Sequence, residues 1–126
     1  MASFDEAWMC HPWFDPLDFS NILGYPNAVD RDAFLAVPKY KPPQQWVVEH
    51  VLAFIEYLKA WDIVAEDVRM RVLVLSLDLQ NNHYEEKWYK KLPPKGISSF
   101  FQLIKVIYDN LGPCMGEEIS EAITLF

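Results

Sequence analysis

The chain has 126 residues, 52% of them hydrophobic and 15% aromatic, which is enough apolar surface for one domain with a real core. Charged residues make up 23%, near the globular average, so wholesale disorder is excluded. The formal net charge of −7 speaks against a nucleic-acid-binding surface, which needs a basic stripe to neutralise phosphates.

Six of the nine prolines fall in residues 1–43: Pro12, Pro16, Pro26, Pro38, Pro42 and Pro43. Each fixes φ and withholds a donor, which disfavours long helices there. The segment also carries Trp13, Phe14, Leu17, Phe19, Ile22 and Leu23, which need burial. Residues 1–43 therefore read as a proline-rich arm packing on the body, with one short helix from Asp30 to Val37. Residues 1–20 hold Asp5, Glu6, Asp15 and Asp18 and no basic n-region, so no signal peptide is read. No stretch approaches the ~18–20 apolar residues of a bilayer span. A cytoplasmic setting is expected, with no membrane contact.

Residues 44–112 form the expected helical domain. The first helix runs from about Gln44 to Trp61, where Val47, Val51, Phe54, Ile55, Leu58 and Trp61 share a face at ~100° per residue, widened by Val48 and Leu52. Glu49 and Glu56 lie opposite, and Trp46, His50, Ala53 and Tyr57 form a second stripe beside them. Either the arm covers this stripe or it is a partner surface. Glu66 and Asp67 then open a helix through Val68 to Leu77 that is apolar nearly all round, as a central buried helix would be. Period two also fits Arg71 to Leu79, but no comparable strand exists to pair with it.

Asn81-Asn82 can cap a third helix, with Glu85 and Glu86 near its start and Lys87, Lys90 and Lys91 near its end, as the helix dipole favours. Tyr84, Trp88 and Leu92 recur at i, i+4, i+8 as its buried stripe, and Pro93-Pro94 stops it. Ser99-x-x-Gln102 is a capping box for a fourth helix lined by Phe100, Leu103, Ile104, Ile107 and Leu111, ended by Gly112-Pro113. Residues 113–126 start a further helix, with Ile119, Ala122, Ile123 and Phe126 on one side. The expected class is an all-α compact bundle of about four to six helices.

Little in the chain points to catalysis. Cys10-His11, His50, His83 and Cys114 lack the short spacings of a zinc site, and two cysteines make no disulfide framework. The adjacent acid pairs Glu66/Asp67, Glu85/Glu86 and Glu117/Glu118 point about 100° apart on a helix, so they do not converge as acid–base dyads and read as solvated helix starts. Four glycines leave no phosphate-cradling loop. No catalytic, cofactor or metal residues are expected. Lys87, Lys90, Lys91 and Lys95 form the one basic cluster, either as cations suited to a helix C-terminus or as a match for the Glu49/Glu56 face of a second copy.

Three motifs occur in order: His50-Val51-Leu52-Ala53-Phe54-Ile55-Glu56-Tyr57, then Glu66-Asp67-Val68-Arg69-Met70-Arg71 through Ser76-Leu77, then Trp88-Tyr89 with Leu92-Pro93-Pro94 and Ile97-Ser98-Ser99-Phe100 through Leu103. From about Pro38 to Gly112 the chain thereby resembles the Gag capsid region of plant-type Ty3/gypsy retrotransposons. It departs from that pattern between Asp78 and Lys87, where the linker is about one helical turn longer and lacks a Gly. The resemblance implies a capsid N-terminal-lobe-like bundle that self-associates in capsid assembly, or a domesticated adaptor that binds a different host protein. It implies a core built by Phe54, Leu58, Val72, Leu75, Trp88, Leu103 and Ile107. The candidate interface residues are Trp46, His50, Tyr57, Lys87 and Lys91. The expected partner is the chain itself or another protein, with no cofactor and no direct nucleic-acid contact.

Overall fold

The computed structural model describes residues 12–24, 26–42 and 44–111. Within them lie a 3-10 turn over Pro12–Phe14 and five α-helices: α1 (Arg31–Leu35), α2 (Val47–Ala60), α3 (Glu66–Ser76), α4 (His83–Lys90) and α5 (Phe100–Leu111). The protein is an all-α bundle, with one isolated parallel bridge, Leu17 to Ile97, among the described residues. None of these helices is long and apolar enough to cross a membrane.

Residues 66–76 are helical and central. Val68, Met70, Val72, Leu73, Val74 and Leu77 are buried, and α3 packs on α5 and on the 3-10 turn. The period-two alternative loses because a lone strand would leave its backbone donors unpaired in the core. α2 packs on α5 through Val47, Val51, Phe54, Ile55 and Leu58, with the Phe54 and Phe100 rings 6.3 Å apart. Trp61 closes the predicted apolar face but stays largely exposed at the helix end.

The capping box takes a shifted form. The Gln102 N–H donates to Ser99 Oγ (3.1 Å), but the Gln102 side chain accepts from the N–H of Ser98 (2.9 Å), one residue earlier than the standard pattern. A second helix supplies a further partner, because Glu66 Oε1 accepts the Phe100 N–H at 2.9 Å. The turn before α5 places Lys95 in the left-handed region (φ 57°). At Gly96 a Cβ would sit 3.0 Å from Pro93 Cγ and 3.3 Å from its carbonyl oxygen, so the close approach favours glycine.

The register of α4 differs from the expected one. Tyr84 is 70% exposed, and the inward residues are Glu85 and Tyr89, with Trp88 and Leu92 half-buried. A stripe read at i, i+4, i+8 drifts round the helix, whereas 85, 89 and 92 keep to one side. The Glu85 carboxylate in that stripe hid it from a hydropathy reading. Asn82 precedes α4, but its side chain makes no cap bond. It donates instead to the carbonyls of Leu77 (2.9 Å) and Tyr40 (3.2 Å) and so joins the α3–α4 turn to residue 40.

Phe14, Leu17, Phe19, Val29, Ala33, Val37 and Tyr40 are buried in the same core as the helices. Backbone bonds fix the segment: Ile97 N–H to the Pro16 carbonyl (3.0 Å), Asp18 N–H to the Ile97 carbonyl (2.6 Å), and Tyr40 N–H to the Ser76 carbonyl (2.8 Å). α1 covers Arg31–Leu35, with Asp30 capping it through the N–H of Asp32 (2.8 Å). Residues 1–11, Cys10 and His11 among them, and 112–126, with Cys114, Glu117, Glu118 and the expected further helix, lie outside the described residues.

Candidate protein-interaction surface

The second stripe on α2 divides in two. Trp46, the residue before the helix, is 60% exposed, and Leu52 and Ala53 are exposed beside Glu49 and Glu56. His50 and Tyr57 are buried, at 0% and 7% exposure, so neither can present a surface. Their place as interface residues is corrected. Residues 33–40 cover them, with Tyr40 over His50 at 5.2 Å between ring centroids and the Tyr57 hydroxyl donating to the Ala33 carbonyl.

His50 is a core histidine with a defined tautomer. Ser76 Oγ donates to the Leu73 carbonyl at 2.6 Å, so that oxygen accepts from His50, whose Nε2 lies 2.9 Å away and carries the proton. His50 Nδ1 is left buried with no donor. Protonating it would place a charge in the core, and burial pushes its pKa down to about 4. Burial, helped by Asp30, raises the Tyr57 hydroxyl to about 12.

Lys87 and Lys91 are exposed at the C-terminal end of α4. Lys90 between them pairs with Glu86 at 2.6 Å and stands 5.5 Å over the Trp13 ring. Next to this end Trp13 stacks edge-on against Tyr89, with centroids 6.2 Å apart, and the Tyr89 hydroxyl donates to the Trp13 carbonyl. A groove of about 380 Å³ opens there, lined by Trp13, Asp15, Pro16, Tyr89, Lys90 and Leu92. A second groove of about 260 Å³ sits at the α2–α3 corner, where Trp61 and Val64 are exposed.

The acids opening α3 are not simply solvated. Asp67 is fully buried and accepts from Arg71 Nη2, the Asn27 N–H and Asn27 Nδ2, each at 2.8 Å. Arg71, equally buried, also donates to the Asn27 carbonyl (2.7 Å) and faces the Phe19 ring at 5.8 Å. The i, i+4 acid–base spacing was the available signal. Its partners at positions 19 and 27 were not readable from spacing. Glu66, the exposed member, is the cross-helix cap for α5.

Among the described residues no group of three or more His, Cys, Asp or Glu side chains could hold a metal ion. Of the five interface candidates, the surface holds Trp46 just before one helix and Lys87 and Lys91 on another. No protein-family model matches the chain, and no curated protein or solved structure matches it either.

Proposed function

We propose that this chain is a non-catalytic assembly module, the counterpart of the first lobe of a Ty3/gypsy-type Gag capsid, which associates with further copies of itself. The observation that carries the reading is Trp46, a large aromatic held 60% exposed just before α2, with exposed Leu52 on the other side of Glu49 and Glu56. Exposing an aromatic side chain of that size costs solubility, and aromatic residues are enriched at protein contacts relative to the rest of the surface. Glu49 and Glu56 on this side are opposite in sign to Lys87 and Lys91 on α4. A contact between the two sides is heterologous, and such contacts close into rings or run into filaments. The ordered motifs from Pro38 to Gly112 supply the second line of support. The module needs no cofactor and acts in the cytoplasm, and any RNA-binding segment belongs to another part of the assembly.

Size exclusion coupled to light scattering, run across concentration and salt with electron microscopy of the same fractions, tests this. The expected result is mass that grows with concentration and falls in the Trp46→Ala variant. A chain that remains monomeric at high concentration in both low and high salt would overturn it. The groove beside Trp13 favours a second reading, a domesticated adaptor that binds a different protein.

A further inference from the structure

The groove at the α2–α3 corner is built from two segments, residues 28–33 and 61–68. Its lining is apolar apart from Asp30 and Asp62, and no cation lies among the lining residues. Asp30 is already engaged, since its side chain accepts the Asp32 N–H at 2.8 Å and caps α1. Asp62 is exposed and has no ion-pair partner among the described residues. Cations close to it in sequence are held elsewhere: Lys59 pairs with Glu56 at 3.9 Å, and Arg69 donates to the Ile63 carbonyl at 2.9 Å. Two large apolar side chains of the lining stand open to water, Trp61 at 42% and Val64 at 73% exposure. At about 260 Å³ the groove is smaller than a drug-sized ligand pocket of roughly 300–1,000 Å³, so it suits one or two side chains.

α1 holds the complement. Arg31 and Leu35 stand at i and i+4, about 6 Å apart, on the face of α1 turned away from the buried Ala33. Leu35 is 70% exposed, and Arg31 is exposed with no ion-pair partner among the described residues. A cation beside an apolar side chain is what an apolar groove with a free carboxylate is matched to. Because α1 itself borders the groove through Ala33, a two-fold axis beside α1 brings each copy's outer α1 face to the other's groove. One patch then carries both halves of the contact, as an isologous interface requires. We propose that this corner is a two-fold contact between copies of the chain. Leu35 of one copy sits against Trp61 and Val64 of the other, Arg31 pairs with Asp62, and each contact is made twice. This deepens the assembly reading and rests on it, but uses none of the residues of the Trp46 contact. A heterologous contact makes rings or filaments, and a two-fold contact joins them in pairs.

The test is made in the Trp46→Ala chain, where the contact through that residue is removed. Light scattering across concentration should show mass that rises to two copies and stops, since a two-fold contact closes on itself. Adding R31E or D62K singly should weaken that dimer about tenfold or more, and R31E/D62K together should restore it, because both charges are exchanged. Leu35→Ser should weaken it with no change of charge. The changes suit the fold: a Glu is favoured in the first turn of α1, and position 62 (φ 52°) matches Lys95 (φ 57°) in backbone conformation. Circular dichroism of each variant should match the parent. A Trp46→Ala chain that is monomeric while the parent assembles overturns the proposal and leaves the groove to a different partner. Growth beyond two copies, a dimer indifferent to any single change, or no recovery in R31E/D62K overturns it too. A parent that stays monomeric overturns the assembly reading as well. A parent that stops at two copies with or without Trp46 overturns the Trp46 contact alone, so the two ideas fail separately.

Discussion

Asp67 and His50 show how single buried polar residues tie this protein together. The Asp67–Arg71 pair is fully buried and bonded on both sides to Asn27. Removing one partner leaves an uncompensated charge in the core, so Asp67→Ala is expected to cost about 3–5 kcal/mol in urea unfolding. Glu66→Ala, at the exposed neighbour, should cost far less, and equal losses would contradict the buried-pair account. His50 acts through pH. Its folded-state pKa of about 4 lies below the ordinary 6.5, so the unfolded chain binds the proton first. Its contribution is fully present above pH 6.5 and is lost as pH falls towards 4, by about 3 kcal/mol in all. Urea midpoints of the parent should drop over that window by up to one proton's slope more than those of His50→Phe. Parallel curves would sink this explanation.

At the scale of elements, α5 is the helix whose start is most heavily specified. Ser99 and Glu66 each satisfy one N-terminal N–H, and Gln102 folds back to Ser98 and to the Gly96 carbonyl (3.1 Å). Ser99→Ala should cost about 1 kcal/mol by thermal or urea unfolding. No loss would mean that Glu66 alone holds the helix start. The capping box was legible because it is local in sequence. The Glu66 contribution was not, since it arrives from 34 residues away across the α3–α5 contact. The α4 register was misread for a related reason. Tyr84 is apolar enough to be assigned inward, but Tyr89 takes the inward place because Trp13 and its carbonyl receive it.

For the whole molecule, the covering of α2 by residues 33–40 decides what can be an interface. Tyr40 and Ala33 close over His50 and Tyr57, leaving Trp46 and the two lysines outside. The surface predictions follow from that division. Trp46→Ala should lower the mass of any assembly without lowering stability by more than ~0.5 kcal/mol, because the side chain is mostly in water. Tyr57→Phe, by contrast, should destabilise by about 1 kcal/mol through the lost bond to Ala33 and leave assembly unchanged. Light scattering and urea unfolding on the same samples separate the two, and a Tyr57→Phe chain that loses assembly first would return that residue to the interface.

What the sequence by itself determined is local and periodic. The all-α class, the central helix after Glu66, the apolar face of α2, the Ser99 cap and the Pro-Pro stop all follow from 3.6-residue periodicity, capping chemistry and fixed φ, which act over a few residues. Only the tertiary structure decided which polar groups are buried and which faces remain open. Asp67 met Arg71 and Asn27, Arg71 met Phe19, His50 met Ser76 and Tyr40, and Tyr89 met Trp13, each through partners ten or more residues apart in the chain except for the one-turn Asp67–Arg71 pair. Exposure is a property of what lies on top of a residue, and neither hydropathy nor spacing encodes the covering segment.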